Sequence, residues 1–336
     1  MDKGSVATRP LIQVEHLKKY FKLSGKRYLH AVDDVSFSIQ CGETLGLVGE
    51  SGCGKSTVGN LLLRLYKASA GKFWYRDTDV FHADKKTSMG LRKKIQIIFQ
   101  DPYSALNPRK TIQSTLREPF LLHGLRNQEA LDTSVLAICR DVGITPSLLD
   151  HYPHELDGGM RQVVGIARAL SLNPDFIVCD EPLSALDVSI QAKIINLLIE
   201  LQKRRNLSYL FISHDLSVVR HISDRILVMY LGQIVETADT DTIFRDTMHP
   251  YSIALLSAVP RVDTEQQVKR IVLQGDVPSA VDPKPGCRFA PRCWMARKDC
   301  FEEEQELREI APGHCVRCKY ALESRGEMNR VMRFSI

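Results

Sequence analysis

The stretch Thr44-Leu-Gly-Leu-Val-Gly-Glu-Ser-Gly-Cys-Gly-Lys-Ser-Thr-Val-Gly-Asn-Leu-Leu-Leu-Arg-Leu-Tyr66 decides the fold. Its first part, TLGLVGE (44–50), is apolar and strand-like, while VGNLLLRLY (58–66) carries apolar residues at helical spacing. Between them Gly49, Glu50, Ser51, Gly52, Cys53, Gly54, Lys55, Ser56 and Thr57 form the pattern GxxxxGK[ST]. Glycines allow backbone N–H groups to converge on phosphate oxygens, and the helix start adds its dipole. In such a loop Lys55 bridges the β- and γ-phosphates and the Ser56 hydroxyl ligates Mg2+. The ordinary alternative, a glycine-rich turn with a chance Lys-Ser, does not require a strand before it and a helix after it. The stretch therefore predicts an α/β nucleotide-binding fold.

Outward from this loop, IQIIFQ (95–100), FIVCDE (176–181), YLFISH (209–214) and RILVMYLG (225–232) read as further buried parallel strands. Residues from about 101 to 173 contain no comparable run and predict an inserted helical subdomain. The strand 176–181 ends in Asp180 and Glu181, at the carboxyl edge where open parallel sheets bind ligands. Asp180 suits a Mg2+ ligand through water, and Glu181 suits a residue that orients or deprotonates an attacking water. An Asp-Glu-Pro turn opener is the bland reading of the same residues. Near Pro260 the composition shifts, placing a core domain over 1–260 and an extension over 261–336 that is rich in proline and cysteine.

With 336 residues, 44% hydrophobic and 25% charged, the chain has globular composition. No run approaches the roughly 18 to 20 apolar residues of a membrane span, and MDKGSVATRP lacks a signal-peptide core. A cytosolic protein that meets a membrane only through partners is expected. A dispersed net charge of +5 gives no reason to expect nucleic acid. Of nine cysteines, Cys41, Cys53, Cys139 and Cys179 are scattered and read as small buried residues, whereas five crowd between Cys287 and Cys318.

With these motifs in order, the chain resembles the nucleotide-binding subunits of ABC transporters. Gln100 matches the Q-loop glutamine, Leu156-Asp-Gly-Gly-Met160 the signature, Ser184-Ala-Leu-Asp187 the D-loop and Ser213-His214-Asp215 the switch histidine. Phe21, with Tyr20 as the alternative, matches the ring that stacks on adenine. The resemblance implies a RecA-like parallel core with an antiparallel β subdomain and a helical insertion. It assigns Glu181, His214, Gln100 and Lys55 to catalysis, Ser56, Gln100 and Asp180 to Mg2+, and Asp157, Gly158, Gly159 and Asp187 to ATP contacts across a dimer. Asp101-Pro-Tyr-Ser-Ala-Leu-Asn-Pro-Arg109, His249-Pro-Tyr251 and PSAVDPKPGCRFAPRC (278–293) narrow the likeness to dipeptide, oligopeptide and nickel importers. Implied partners are a homologous ATPase, two membrane permeases and an extracytoplasmic binding protein, at the cytoplasmic face of the inner membrane. Nickel chelates, glutathione or another small solute stay open as cargo. A regulatory ABC ATPase without a transport role is the rival, although its ribosomal and DNA-repair forms carry a second cassette or long insertions.

The signature departs from the family's LSGGQ: serine is replaced by Asp157 and glutamine by Met160. A carboxylate about 4 Å from a phosphate, at an effective dielectric near 20, costs roughly 4 kcal/mol per pair of unit charges. The expectation is a heterodimer in which this chain's own loop is completed by an intact partner signature, while the site using Asp157 turns over weakly or not at all. For the extension, disulfides conflict with a reducing compartment. A four-cysteine zinc site is chemically possible, but the paired CxxC spacing occurs only at Cys315 and Cys318. The resemblance favours a [4Fe-4S] cluster on Cys287, Cys293, Cys300 and Cys318, with Cys315 spare.

Overall fold

The structure is a computed structural model that describes residues 9–259 and 270–325. In chain order its strands and helices are β1 (Ile12–Lys22), β2 (Tyr28–Ile39), β3 (Thr44–Val48), α1 (Lys55–Leu62), β4 (Ala70–Tyr75), β5 (Thr78–Asp79) and α2 (Lys85–Lys94). They continue with β6 (Ile95–Ile98), α3 (Pro102–Ala105), α4 (Ile112–Leu122), α5 (Gln128–Val142), α6 (Gly158–Leu170), β7 (Phe176–Asp180), α7 (Val188–Arg205) and β8 (Ser208–Ser213). The last are α8 (Leu216–Ile222), β9 (Arg225–Tyr230), β10 (Gln233–Asp239), α9 (Thr240–Asp246), α10 (Pro250–Ser257), β11 (Arg308–Ala311) and β12 (His314–Val316). Among the described residues no helix is long and apolar enough to cross a membrane. The expected domain boundary near Pro260 lies outside the described residues.

Two compact units emerge. One holds residues up to Ile12, Ile39–Glu43 and Trp74–Ile212; the other holds Gln13–Ser38, Thr44–Phe73 and residues from Ser213 onward.

In the first unit β6, β7 and β8 run parallel, with Ile95 opposite Phe176 and Asp180 opposite Ile212. Continuous apolar runs suit strands covered on both faces, and every residue of β8 is buried. The register leaves Asp180 at the carboxyl end of β7. Between β6 and β7, residues 101–173 hold α3 to α6 and no strand. Helix α5 is fixed at its ends by Asn127, whose side chain accepts the Ala130 N–H, and by Gly143 at φ 77. Leu131, Val135 and Ile138 on one face of α5 and Leu116 of α4 are buried as these helices and α6 pack together.

In the second unit β3 lies parallel to β9, and β9 turns back into β10. The sequence reading carried the strand through Gly232, but β9 stops at Tyr230 because Leu231 (φ 41) and Gly232 (φ 83) form the two-residue turn. A leucine in the first left-handed position gave no turn signal. The extension enters this sheet: β12 pairs antiparallel with β10, Glu236 opposite Val316, and β11 pairs with β12. Glu236, fully buried, accepts from Thr247 Oγ1 (2.7 Å), Met248 N (2.7 Å), His249 N (3.0 Å) and His314 Nε2 (2.8 Å), so one carboxylate joins β10, the start of α10 and the extension.

Candidate nucleotide site

The phosphate loop runs from the end of β3 to the first residue of α1. Two glycines in it admit no side chain. At Gly54 (φ 111) an added Cβ would lie 2.1 Å from the Ala31 carbonyl oxygen, and at Gly49 one would lie 2.2 Å from that of Met229. Lys55, 4% exposed, points its ammonium back over the loop, where Nζ donates to Gly49 O (2.8 Å) and Glu50 O (3.0 Å). Ser56 and Thr57 occupy the first turn of α1, half-buried, and Ser51 and Gly52 face solvent. Cys53 is buried, which pushes its thiol up, and its carbonyl accepts the Gly232 N–H at 2.8 Å. It is a packing residue. Glu50 is held by two residues the sequence reading did not single out. Its N–H donates to Tyr251 Oη (2.8 Å), and its two carboxylate oxygens accept from both terminal nitrogens of Arg292 (2.7 and 3.1 Å).

Of the two candidate adenine rings, Tyr20 is otherwise engaged: it stacks on His30 with centroids 4.0 Å apart and its hydroxyl donates to Asp33. Burial and that aspartate raise its hydroxyl well above the usual range. Phe21 keeps a half-exposed ring, edge-on to Tyr66 (5.4 Å), with Lys19 Nζ 4.7 Å from its centroid. His214 is exposed between the end of β8 and α8. Its neighbours fix the backbone there, because Asp215 N donates to Ser213 Oγ (3.0 Å) while Asp215 Oδ1 accepts the Ser217 N–H (2.8 Å).

The first unit brings Gln100 and Glu181 together: Gln100 Nε2 donates to Glu181 Oε2 at 3.0 Å. Glu181 adopts φ 44, a left-handed conformation costly for a residue with a Cβ and concentrated at functional sites. It is retained by hydrogen bonds on both sides, Glu181 N to Ile212 O (3.0 Å) and Ser184 Oγ to Glu181 O (3.1 Å). The sharp turn sets its carboxylate one residue beyond Asp180. Next to it Gln191 Nε2 donates to Leu183 O (3.1 Å) and Leu186 O (3.0 Å), clamping the loop that leads to Asp187. Asp187 starts α7 with its backbone and makes no side-chain cap. Gln191 went unnoticed in the sequence because a helical glutamine carries no motif.

Asp157 has a structural task. It is the N-cap of α6, and its Oδ1 accepts the Met160 N–H at 2.7 Å. Serine and aspartate are both strong N-caps, so the substitution keeps the helix start while adding charge. Gly158 and Gly159 follow; a Cβ on Gly159 would lie 2.7 Å from Ile190 Cγ2.

Cys287, Cys293, Cys300 and Cys318 line one small cleft in the second unit. The Cys287 N–H donates to the Cys300 carbonyl (2.7 Å). Burial pushes Cys293 up to about 12 and Cys318 up to about 11, and each is raised further by the neighbouring thiols. Cys315 is elsewhere, on β12 opposite Thr237 and Glu309. All nine cysteines are free thiols. Cys53, Cys139 and Cys179 are buried, but Cys41 is exposed, against the expectation for the scattered four. Among the described residues no three His, Cys, Asp or Glu side chains are arranged to hold a single metal ion. That arrangement gives neither the zinc nor the iron–sulfur reading support.

A glycine loop opening a helix in one unit, and in the other a buried strand ending in Asp180 and a hydrogen-bonded Glu181, are the parts of a nucleotide-hydrolysing cassette. The family described as ABC transporter matches residues 32–184, and that described as oligopeptide/dipeptide transporter, C-terminal region, matches residues 235–300. The oligopeptide transport ATP-binding protein AppF of Bacillus subtilis is 48% identical over 317 residues, 92% of this chain and 96% of its own. The dipeptide transport ATP-binding protein DppF of Haemophilus influenzae is 44% identical over 314 residues, again 92% and 96%. The dimeric cassette MJ0796, solved with ADP and Pi in a post-hydrolysis state, superposes with a TM-score of 0.62 at 28% identity, covering 68% of this chain and 98% of its own. The chain therefore belongs to the ATP-binding subunits of oligopeptide/dipeptide ABC transporters, ATPases whose hydrolysis is coupled to transport.

Proposed function

We propose that this chain powers uptake of dipeptides or oligopeptides as one of two different ATPases, peripheral on the cytoplasmic face of the inner membrane. They work beneath two integral permeases fed by an extracytoplasmic binding protein. The relatives' printed roles in oligopeptide and dipeptide transport and the match to the C-terminal region support the cargo class. Within the chain, the loop amides and Lys55 hold the ATP phosphates, Phe21 stacks on adenine, and His214 contacts the γ-phosphate. Ser56, Gln100 and Asp180 are the oxygen donors for Mg2+, which neutralises phosphate charge when bound. Glu181 is the general base. The observation that carries this reading is the strained Glu181 aimed by Gln100. In the assembled transporter, Glu181→Gln should leave ATP binding intact and lower hydrolysis at least about 100-fold. Unchanged turnover, with loss only on mutating the partner ATPase, would reverse which site is competent.

The asymmetric dimer is supported by Asp157. A serine would cap the same Met160 N–H, so what this residue changes at the α6 start is the negative charge it adds where a partner's γ-phosphate would be received. The four cysteines are proposed as ligands of a [4Fe-4S] cluster. Four thiols lining one cleft, with Cys293 and Cys318 pushed up by burial and by their neighbours, suit a cationic centre that takes them as thiolates. Zinc, at about 2.3 Å from each sulfur, needs the sulfurs drawn within about 4 Å of one another. A cluster is ligated through separate irons and accepts a wider set.

A further inference from the structure

We propose that Arg292, in the Cys-rich extension, is a positioning residue of the ATP site that neutralises a carboxylate built into the phosphate loop. This rests on reading Gly49–Thr57 as the phosphate cradle. Glu50 is the second residue of that cradle, and a bare carboxylate there opposes every phosphate the loop receives. Arg292 answers it with a planar fork: Nη1 lies 2.7 Å from Oε2 and Nη2 3.1 Å from Oε1, with the arginine side chain only 8% exposed and that of Glu50 26%. A paired, half-buried geometry of this kind is the strong form of a charged contact. Both ends are fixed independently. The Glu50 N–H is turned away to Tyr251 Oη. Arg292 closes a 3-10 turn over Ala290–Arg292, its N–H donating to Phe289 O at 2.9 Å. Phe289, 1% exposed, is wedged beside Tyr230 and Tyr251 at centroid distances of 5.3 and 5.5 Å. The extension thus reaches the loop with its cation already oriented, one residue before Cys293.

Neutralisation makes an outcome that loss of packing does not: the defect should scale with ligand charge and vanish when the carboxylate is removed too. Binding of MgATP, MgADP and AMP to the full-length chain would be measured by calorimetry for wild type, Arg292→Gln, Arg292→Lys, Glu50→Gln and the double Glu50→Gln/Arg292→Gln variant. Arg292→Gln should weaken ATP about tenfold, ADP less and AMP least, while Arg292→Lys keeps most of the affinity. The double variant should return to within about threefold of wild type. Equal ATP binding by Arg292→Gln, an equal loss for all three nucleotides, or a double variant as weak as Arg292→Gln would each overturn the inference. If wild type itself fails to bind ATP, the reading of the cradle falls first, and this inference with it.

Discussion

Replacing Glu236 by glutamine tests how the extension is anchored. The carboxylate has no exposed surface and accepts four hydrogen bonds, two at each oxygen: Met248 N and His314 Nε2 at Oε1, Thr247 Oγ1 and His249 N at Oε2. Glutamine preserves the volume and one acceptor, but its NH2 group then faces a backbone N–H at either position, Met248 N or His249 N, while the Thr247 hydroxyl or the His314 ring can turn to accept from it. A stranded buried donor costs about 1–3 kcal/mol, so Glu236→Gln should destabilise the second unit by about 2 kcal/mol. Alanine, which strands all four, should cost about 4 kcal/mol. The effect depends on pH with a definite sign. Burial alone would raise the Glu236 carboxyl, yet His314, Ser252, the Met248 N–H and the Thr247 hydroxyl outweigh it and hold it below its ordinary 4.5. A depressed carboxylate stabilises the fold above 4.5 and loses that contribution as pH falls through the folded value, so the gap between wild type and Glu236→Gln should narrow in acid. Amide hydrogen exchange at Met248 and His249 reports the local opening, and urea unfolding the total. A gap under about 0.5 kcal/mol at neutral pH, or one that persists undiminished in acid, would refute the assignment of this carboxylate as a charged anchor.

Two other outcomes follow from single residues. Asp157→Ser keeps an N-cap on α6 while removing the charge, so the assembled ATPase should gain turnover, approaching about twofold if the second site becomes equal to the first; an unchanged rate argues that both sites already work. Anaerobically purified protein should show the visible absorption of an iron–sulfur chromophore that is lost in Cys293→Ser and kept in Cys315→Ser, because only the former lines the shared cleft. Loss of colour from both variants would refute the four-ligand set.

Much of this protein was legible in order along the chain. The phosphate loop, the acidic end of β7 and the strands β3, β6, β7, β8 and β9 are continuous segments whose residue types and local periodicity are sufficient to read them. The strands β1, β2 and β4 were not singled out residue by residue, since half-exposed strands carry polar positions that blur their pattern; β10 is buried but carries Glu236 and Thr237 in its middle, and Leu231 hid a tight turn. Gln100 and Asp157 were found by motif, but what they touch was not: an amide donating to Glu181 and a carboxylate capping α6 are facts of geometry. By itself the sequence determined that a nucleotide-binding loop opens a helix and that acids follow a buried strand, because both depend on near neighbours. Only the tertiary structure decided that Tyr251 and Arg292, far downstream in the chain, grip Glu50, and that four cysteines line one cleft while Cys315 lies on β12. Such contacts join residues distant in the chain, and no local spacing encodes which of many buried partners the folded sheet brings within about 3 Å.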